Sequence, residues 1–440
     1  MKEPGKIRSE PRGQTPPLVH LASLGCAKNL VDSERILGRL AAAGAVVGAP
    51  ASEADIILVN TCGFIDAARR ESVETILRLA AHKRSGRCRA LIVMGCLAQR
   101  SAAELQRALP EVDGVFGLGR EEDILAACGL RAHVGIEAGR FLLTPRHTAY
   151  LRIADGCSNR CAYCAIPLIR GPFRSRPSAE VLGEAQALLR GGARELNLIG
   201  QDTTLYGADL PGEMRTDGLL RRVAALPRAR WVRLLYTHPA HWSEALIETF
   251  RIVPSLCPYV DLPLQHLNDA ILRRMGRRVT QAQILGLIAR LRERIPGVAI
   301  RTALIAGFPG ETPTQFREML RLVGELRFDH LGVFVYSREA GTRAARMGGQ
   351  VSPAVAEGRR EEIMLAQQEI VFARNRALRG ARVEVVIEEP AGRNLWRARS
   401  RTQAPDVDGV TYVRGKRLRA GEFRRVRVTE GNGYDLTAEG

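Results

Sequence analysis

The sequence predicts an α/β protein in three parts: an N-terminal parallel α/β domain, a central partial (β/α)6 barrel and a C-terminal small antiparallel β-barrel. Three observations lead to this. Apolar, β-branched runs of buried-strand length alternate with helical patterns through most of the chain. From about Gly380 the pattern changes to short strands separated by Gly, Pro and Asp turns. At 440 residues the chain also exceeds what a single core supports, so several domains are expected.

Residues 1–17 are polar, charged and proline-rich and read as a disordered leader without a hydrophobic signal region. The first domain is expected over 18–138. Its strand runs, 19–24, 55–59 and 90–94, lead into Gly25-Cys26-Ala27-Lys28-Asn29, Asn60-Thr61-Cys62-Gly63-Phe64 and Gly95-Cys96-Leu97-Ala98-Gln99-Arg100. Helices are expected over 32–43, 66–84, 101–109 and 121–128, with Asp32 and Ser33 as good starts for the first. An open parallel sheet gathers ligands at the carboxyl ends of its strands, so Cys26, Cys62 and Cys96 can converge on one site there. The alternative is that each is a small buried hydrophobe.

The second domain, 139–375, offers six strands over 149–154, 195–199, 232–236, 259–264, 299–305 and 331–336, with helices such as 179–190 and 281–294 between them. Right-handed crossovers curl such units into a partial barrel, open on one side. Directly after its first strand runs Gly156-Cys157-Ser158-Asn159-Arg160-Cys161-Ala162-Tyr163-Cys164. Cys157, Cys161 and Cys164 place three thiolates in one loop at the carboxyl mouth. Three protein ligands on a four-iron cluster leave one iron open, where S-adenosylmethionine can chelate and be cleaved reductively to a 5'-deoxyadenosyl radical. Zinc is the competing reading, but no second C-x2-C or H-x3-H knuckle follows to close it. A long charged helix over 352–379 ends the domain, its charges read as a solvated face.

The tail, 376–440, carries strands over 382–387, 395–399, 410–413 and 423–429. Arg393, Arg397, Arg399, Arg414, Lys416, Arg417, Arg419, Arg424, Arg425 and Arg427 are interleaved with Trp396, Tyr412 and Phe423. Basic groups with exposed aromatics suit nucleic-acid or macromolecular docking; the alternative is that the aromatics fill the barrel core.

A formal charge of +18 favours an anionic partner such as RNA or a ribonucleoprotein. No stretch approaches the apolar length of a membrane span. Nine cysteines in a chain of this length do not form a secreted disulfide framework, and iron-binding thiolates need a reducing compartment, so the cytoplasm is expected. Cys88, Cys128 and Cys257 lack a ligand-like setting and read as incidental thiols.

The order of a three-cysteine α/β domain, a C-x3-C-x2-C barrel and a small basic barrel resembles the methylthiotransferases of the radical S-adenosylmethionine superfamily, whose terminal barrel is the TRAM domain. One branch modifies an adenosine in tRNA (the MiaB type), the other an aspartate of a ribosomal protein (the RimO type). The strings Leu24 to Glu34, Asn60 to Ile65, Arg170-Gly171-Pro172-Phe173-Arg174-Ser175-Arg176, Tyr236-Thr237-His238-Pro239 and Tyr259 to His266 look like the second branch. The resemblance implies transfer of a methylthio group to the β-carbon of an aspartate in small-subunit ribosomal protein uS12, with a tRNA adenosine methylthiotransferase as the alternative. It implies two 4Fe-4S clusters, on Cys157, Cys161 and Cys164 and on Cys26, Cys62 and Cys96, the second carrying the donated sulfur. It further implies S-adenosylmethionine, an electron donor and possible RNA contact through the TRAM domain. Cofactor contacts are expected from Tyr163, near adenine, from Gln201, at the methionine end, and from Gly307, where a glycine admits close approach of the nucleoside. Asp202, His238 and His266 stand near the same strand ends, and no general base is assigned.

Overall fold

The computed structural model describes residues 15–131 and 139–440. The expected leader therefore lies outside the described residues except for 15–17, as does the junction at 138. By its contacts the chain forms two compact units. The first runs to Leu143 and includes Ala165–Pro172; the second comprises Thr144–Cys164 and Phe173–Gly440.

The first unit is a parallel sheet of β1 (Leu18–Ser23), β2 (Val46–Val47), β3 (Ile56–Thr61), β4 (Ala90–Gly95) and β5 (Gly114–Phe116), in the order β2-β1-β3-β4-β5. Its helices are α1 (Ala27–Ala42), α2 (Asp66–Ser85), α3 (Cys96–Ala108) and α4 (Glu121–Ala127). Strands β3 and β4 are buried at every position, because both faces are covered. Ile56, Leu58, Ile92 and Met94 meet Ile36 and Leu40 of α1 on one side, while Ile57, Val59, Leu91 and Val93 meet Ile76 and Leu79 of α2 on the other. The chain thus changes face between β1 and β3, the point where open α/β sheets form their ligand crevice.

Two helix starts differ from expectation. Helix α1 begins at Ala27, with Cys26 as its N-cap, so Asp32 and Ser33 lie inside it. They serve tertiary contacts instead: Ser33 Oγ donates to Ser23 Oγ and accepts from Asn60, and Asp32 pairs with Arg170. Helix α3 begins at Cys96, and the expected start, Ser101, is a non-helical residue within it (φ −139°, ψ 34°).

The second unit contains β6 (Thr148–Arg152), β7 (Ala154–Asp155) and, after the residues assigned to the first unit, which include the short helix α5 (Ile166–Arg170), strand β8 (Arg174–Ser175). There follow α6 (Ser178–Gly191), β9 (Glu195–Ile199), α7 (Thr216–Ala224), β10 (Trp231–Leu234), α8 (Glu244–Ile252), β11 (Tyr259–Asp261), α9 (Asp269–Met275), α10 (Gln281–Arg294), β12 (Ala299–Ala306), α11 (Pro313–Leu326), β13 (His330–Val335) and α12 (Pro353–Ala377). All six expected strands form, in two parallel sheets, β10-β9-β6 and β11-β12-β13. Thr237 N donates to Asp261 O across the join, and Tyr236 N to Asp261 Oδ2. Strand β11 stops at Asp261 instead of 264 because Pro263 has no N–H for the ladder.

Helix α12 is less solvated than its charge suggested: Arg359, Gln367 and Asn375 are buried. Arg359 pairs with Glu311, Gln367 donates to Phe328 O, and Asn375 donates to Gly433 O.

The tail closes into a barrel of β14 (Arg382–Gly392), β15 (Leu395–Ser400), β16 (Thr411–Arg414), β18 (Leu436–Glu439) and β17 (Phe423–Glu430), in that order. The fifth strand, β18, lacks an apolar run and was not among the expected strands; it closes the barrel by pairing parallel to β16. Val385, Ile387, Ala398, Val413, Val426 and Ala438 fill the interior, and Trp396 packs against them. Phe423 meets Trp231 of β10 edge-on at 4.9 Å. Trp396, Tyr412 and Phe423 are half-buried, so none is an open stacking platform. Arg399 is buried too, bonded to Glu195 at 2.6 Å, whereas Arg393, Arg414, Lys416, Arg417, Arg419, Arg424, Arg425 and Arg427 are exposed.

Candidate cofactor and active-site residues

In the first unit Cys26, Cys62 and Cys96 follow three neighbouring strands at their carboxyl ends. Two glycines let the loops meet. A Cβ on Gly25, whose φ is +91°, would lie 2.8 Å from Cys62 Cβ and 3.1 Å from its Sγ. A Cβ on Gly63 would lie 2.8 Å from Leu97 Cα and 3.0 Å from Cys96 O. Cys26 caps α1 and Cys96 opens α3, so both stand at the positive ends of helix dipoles, which favour thiolate.

Asn29 braces these loops: its Nδ2 donates to Leu24 O and Thr61 O at 3.0 Å each, and its Oδ1 accepts from Cys96 Sγ at 3.2 Å. The Ser72 hydroxyl accepts from Cys62 N and donates to Cys62 O. Burial pushes the Cys62 thiol up, and pushes Cys96 up to about 12 against the pull of Arg170. Desolvation acts on Cys26 in the same sense, but Lys28, Arg170 and the neighbouring amides bring its pKa below the ordinary value. Cys26 is also the exposed member of the trio.

In the second unit Cys157, Cys161 and Cys164 occupy the loop after β7 and are all half-buried. The loop is held on both sides, with Ala162 N donating to Met275 O at 2.7 Å and Ala162 O accepting from Ala344 N at 2.8 Å. Tyr163 packs beside Ile271, Met275 and Phe308. Gln201 Nε2 donates to Asp155 Oδ1 at 3.0 Å, while its buried Oε1 has no partner within the described residues, leaving an acceptor for a bound donor. The space a Cβ on Gly307 would take is filled by Ala356 of α12 at 2.3 Å. That glycine is required by helix packing and by a φ of +75°.

Neither His241 nor Arg277 is among the residues expected from sequence. Asp202 Oδ2 accepts from Asn159 Nδ2 at 2.8 Å and meets His241 Nδ1 at 2.9 Å, and its Oδ1 accepts from Thr204. His238 stacks on His241 with ring centroids 4.7 Å apart. Burial brings the His238 pKa down to about 3, with Arg277 adding to the effect. The only hint in the sequence was the H-x2-H spacing of His238 and His241. Arg277 is buried, donates to Pro263 O and lies 3.9 Å from Cys161 Sγ. His266, fully buried, accepts from Asn268 N and is placed by that turn.

Three thiols in each set are a donor type that iron–sulfur clusters take. Among the described residues Asp202, His238 and His241 bring one ligand atom each within 4.8 Å of one another. Cys88, Cys128 and Cys257 are core residues.

Three family models match the chain: the uncharacterized protein family UPF0004 over residues 18–117, the Radical SAM superfamily over 151–323 and the TRAM domain over 380–440. Ribosomal protein uS12 methylthiotransferase RimO of Geobacter sulfurreducens is 48% identical over 96% of this chain and 98% of its own. The protein of the same name from Heliobacterium modesticaldum is 46% identical over 96% of this chain and 94% of its own. The chain belongs to the RimO family. The tRNA-modifying alternative is not favoured by these relatives. Among solved structures, the radical S-adenosylmethionine methyltransferase TsrM from Kitasatospora setae, with tryptophan and a SAM analogue bound, aligns at a TM-score of 0.54. It is 15% identical, over 82% of this chain and 90% of its own, so the likeness is one of fold. Cys26, Cys62 and Cys96 thus follow three neighbouring parallel strands of the first unit, and Cys157, Cys161 and Cys164 share one loop of the second. Among the described residues no helix is long and apolar enough to cross a membrane.

Proposed function

We propose that the chain is a radical S-adenosylmethionine methylthiotransferase that adds a methylthio group to the β-carbon of an aspartate in ribosomal protein uS12. The observation that carries this reading is the pair of three-cysteine sets, one at the ends of three neighbouring strands and one in the loop after β7, in a chain 48% identical to a RimO protein along nearly its whole length. In this reading residues 18–138 hold the sulfur-donor centre, 139–375 form the S-adenosylmethionine-cleaving barrel with its terminal helix, and 376–440 form the TRAM domain.

Cys157, Cys161 and Cys164 would hold one 4Fe-4S cluster, and Cys26, Cys62 and Cys96 a second. Each trio has three donors, which leaves one iron open. When bound, the first supplies the electron that cleaves S-adenosylmethionine and the second carries the sulfur to be transferred. The chain's own residues orient and enclose. Gln201 offers its unpartnered Oε1 to the methionine end of the cofactor, and Tyr163 gives an apolar face beside the cysteine loop for adenine. Gly307 shapes the segment after β12, and Glu311 holds that segment by accepting from Gly307 N and Phe308 N. The Asp202 carboxylate fixes Asn159, and with it the cysteine loop. A carbon–hydrogen bond without acidity needs a radical for its cleavage.

Exposed arginines of the TRAM domain supply contact to ribosomal RNA around the target. The enzyme works in the cytoplasm with an electron donor present. Mass spectrometry of uS12 from cells with and without this chain tests the proposal: a methylthio mass on one aspartate is expected only when the chain is present. The same modification on tRNA adenosine, with uS12 unchanged, would overturn it.

A further inference from the structure

We propose that Arg170 is a positioning residue for the centre on Cys26, Cys62 and Cys96, fixing the Cys96 sulfur and raising that centre's reduction potential. This rests on the reading above that the trio holds a 4Fe-4S cluster. Arg170 ends the short helix α5, which follows the other cysteine motif in sequence yet belongs to the first unit. Its side chain is 2% exposed.

One nitrogen, Nη2, reaches three acceptors: Asn29 Oδ1 at 2.8 Å, Asp32 Oδ2 at 2.9 Å and Cys96 Sγ at 3.5 Å. Asn29 in turn holds the carbonyls of Leu24 and Thr61, which precede the other two cysteines by two residues and one. Arg170 therefore anchors the amide that spans all three loops and touches one thiol itself. Asn60 Nδ2 donates to Asn29 O at 2.7 Å and holds that residue's backbone in place.

The charge has a consequence beyond position. Reduction adds an electron to a centre already made anionic by its thiolates, and a guanidinium shielded from water favours the reduced form. A hydrogen bond to a ligating sulfur acts in the same direction. Asp32 offsets part of the guanidinium charge, so the pair sets an intermediate value.

The test uses the full chain with Cys157, Cys161 and Cys164 replaced by alanine, reconstituted anaerobically so that only the first-unit trio can hold iron. About four irons are expected; their absence here would sink the two-cluster reading, separately from the role of Arg170. The midpoint potential is then read by titration followed by electron paramagnetic resonance. Arg170→Gln is expected to shift it to more negative values, and Arg170→Lys, which keeps the charge, to shift it less. Asp32→Asn leaves Arg170 in place and is expected to shift it to more positive values, which supplies the answer if Arg170→Gln does not reconstitute. An unchanged potential in Arg170→Gln or in Asp32→Asn overturns the inference, since a purely structural arginine would not move it.

Discussion

At Gly63 the chain has no room for a methyl group: backbone atoms of Leu97 lie 2.8 and 2.9 Å from where a Cβ would be. Those atoms belong to the first turn of α3, which carries Cys96, so Gly63→Ala must push Cys62 and Cys96 apart. Overpacking of this kind costs about 1–3 kcal/mol. The variant is expected to retain markedly less first-unit iron, counted in the background lacking Cys157, Cys161 and Cys164. Cys62→Ala separates the two trios functionally. It is expected to keep forming 5'-deoxyadenosine, seen by chromatography, while methylthio transfer to uS12 falls to background. In the sequence Cys26, Cys62 and Cys96 stand out because each follows an apolar strand run, and Cys157, Cys161 and Cys164 because they share one C-x3-C-x2-C loop. Arg170, Asn29 and Arg277 do not. Their roles depend on polar contacts such as Arg170 to Asn29, 141 positions apart, for which no local spacing gives a signal.

At the scale of elements, the amino ends of the barrel strands hold the terminal barrel. Glu195, the first residue of β9, is fully buried and accepts from Arg399 of β15 at 2.6 Å, with Arg233 of β10 at 3.3 Å. Asp408, in the β15–β16 connection, accepts from the Tyr259 hydroxyl at 2.7 Å and lies 3.6 Å from Arg301. Removing one member of such a buried network strands the others; Glu195→Ala is expected to cost about 3–5 kcal/mol in denaturant unfolding. Burial alone would raise the pKa of Glu195, but Arg399 and Arg233 bring it down to about 2. Its folded pKa thus lies below its unfolded value of about 4.3, so this stabilisation is complete above that pH and fades as the pH falls toward about 2. Loss of stability over that window is expected to be smaller in Glu195→Gln than in the natural chain. Strand existence was legible here because apolar runs mark it. Strand ends were not, as Pro263 cuts β11 short and the mixed run Leu436 to Glu439 becomes a strand only by closing the barrel.

For the whole molecule, domain order was legible because each part has its own periodicity, and full-length kinship with RimO proteins agrees with it. The charge of +18 was legible as a count, but its placement was not: Arg399 and Arg233 are spent on internal ion pairs, while Arg424, Arg425 and Arg427 face solvent. The proposed function requires two iron–sulfur centres, each on three cysteines. Iron and sulfide counting after anaerobic reconstitution tests it most directly. About eight irons per chain are expected, falling to about four when either trio is replaced by alanine. About four irons in the natural chain, all lost with Cys157, Cys161 and Cys164, would contradict the account.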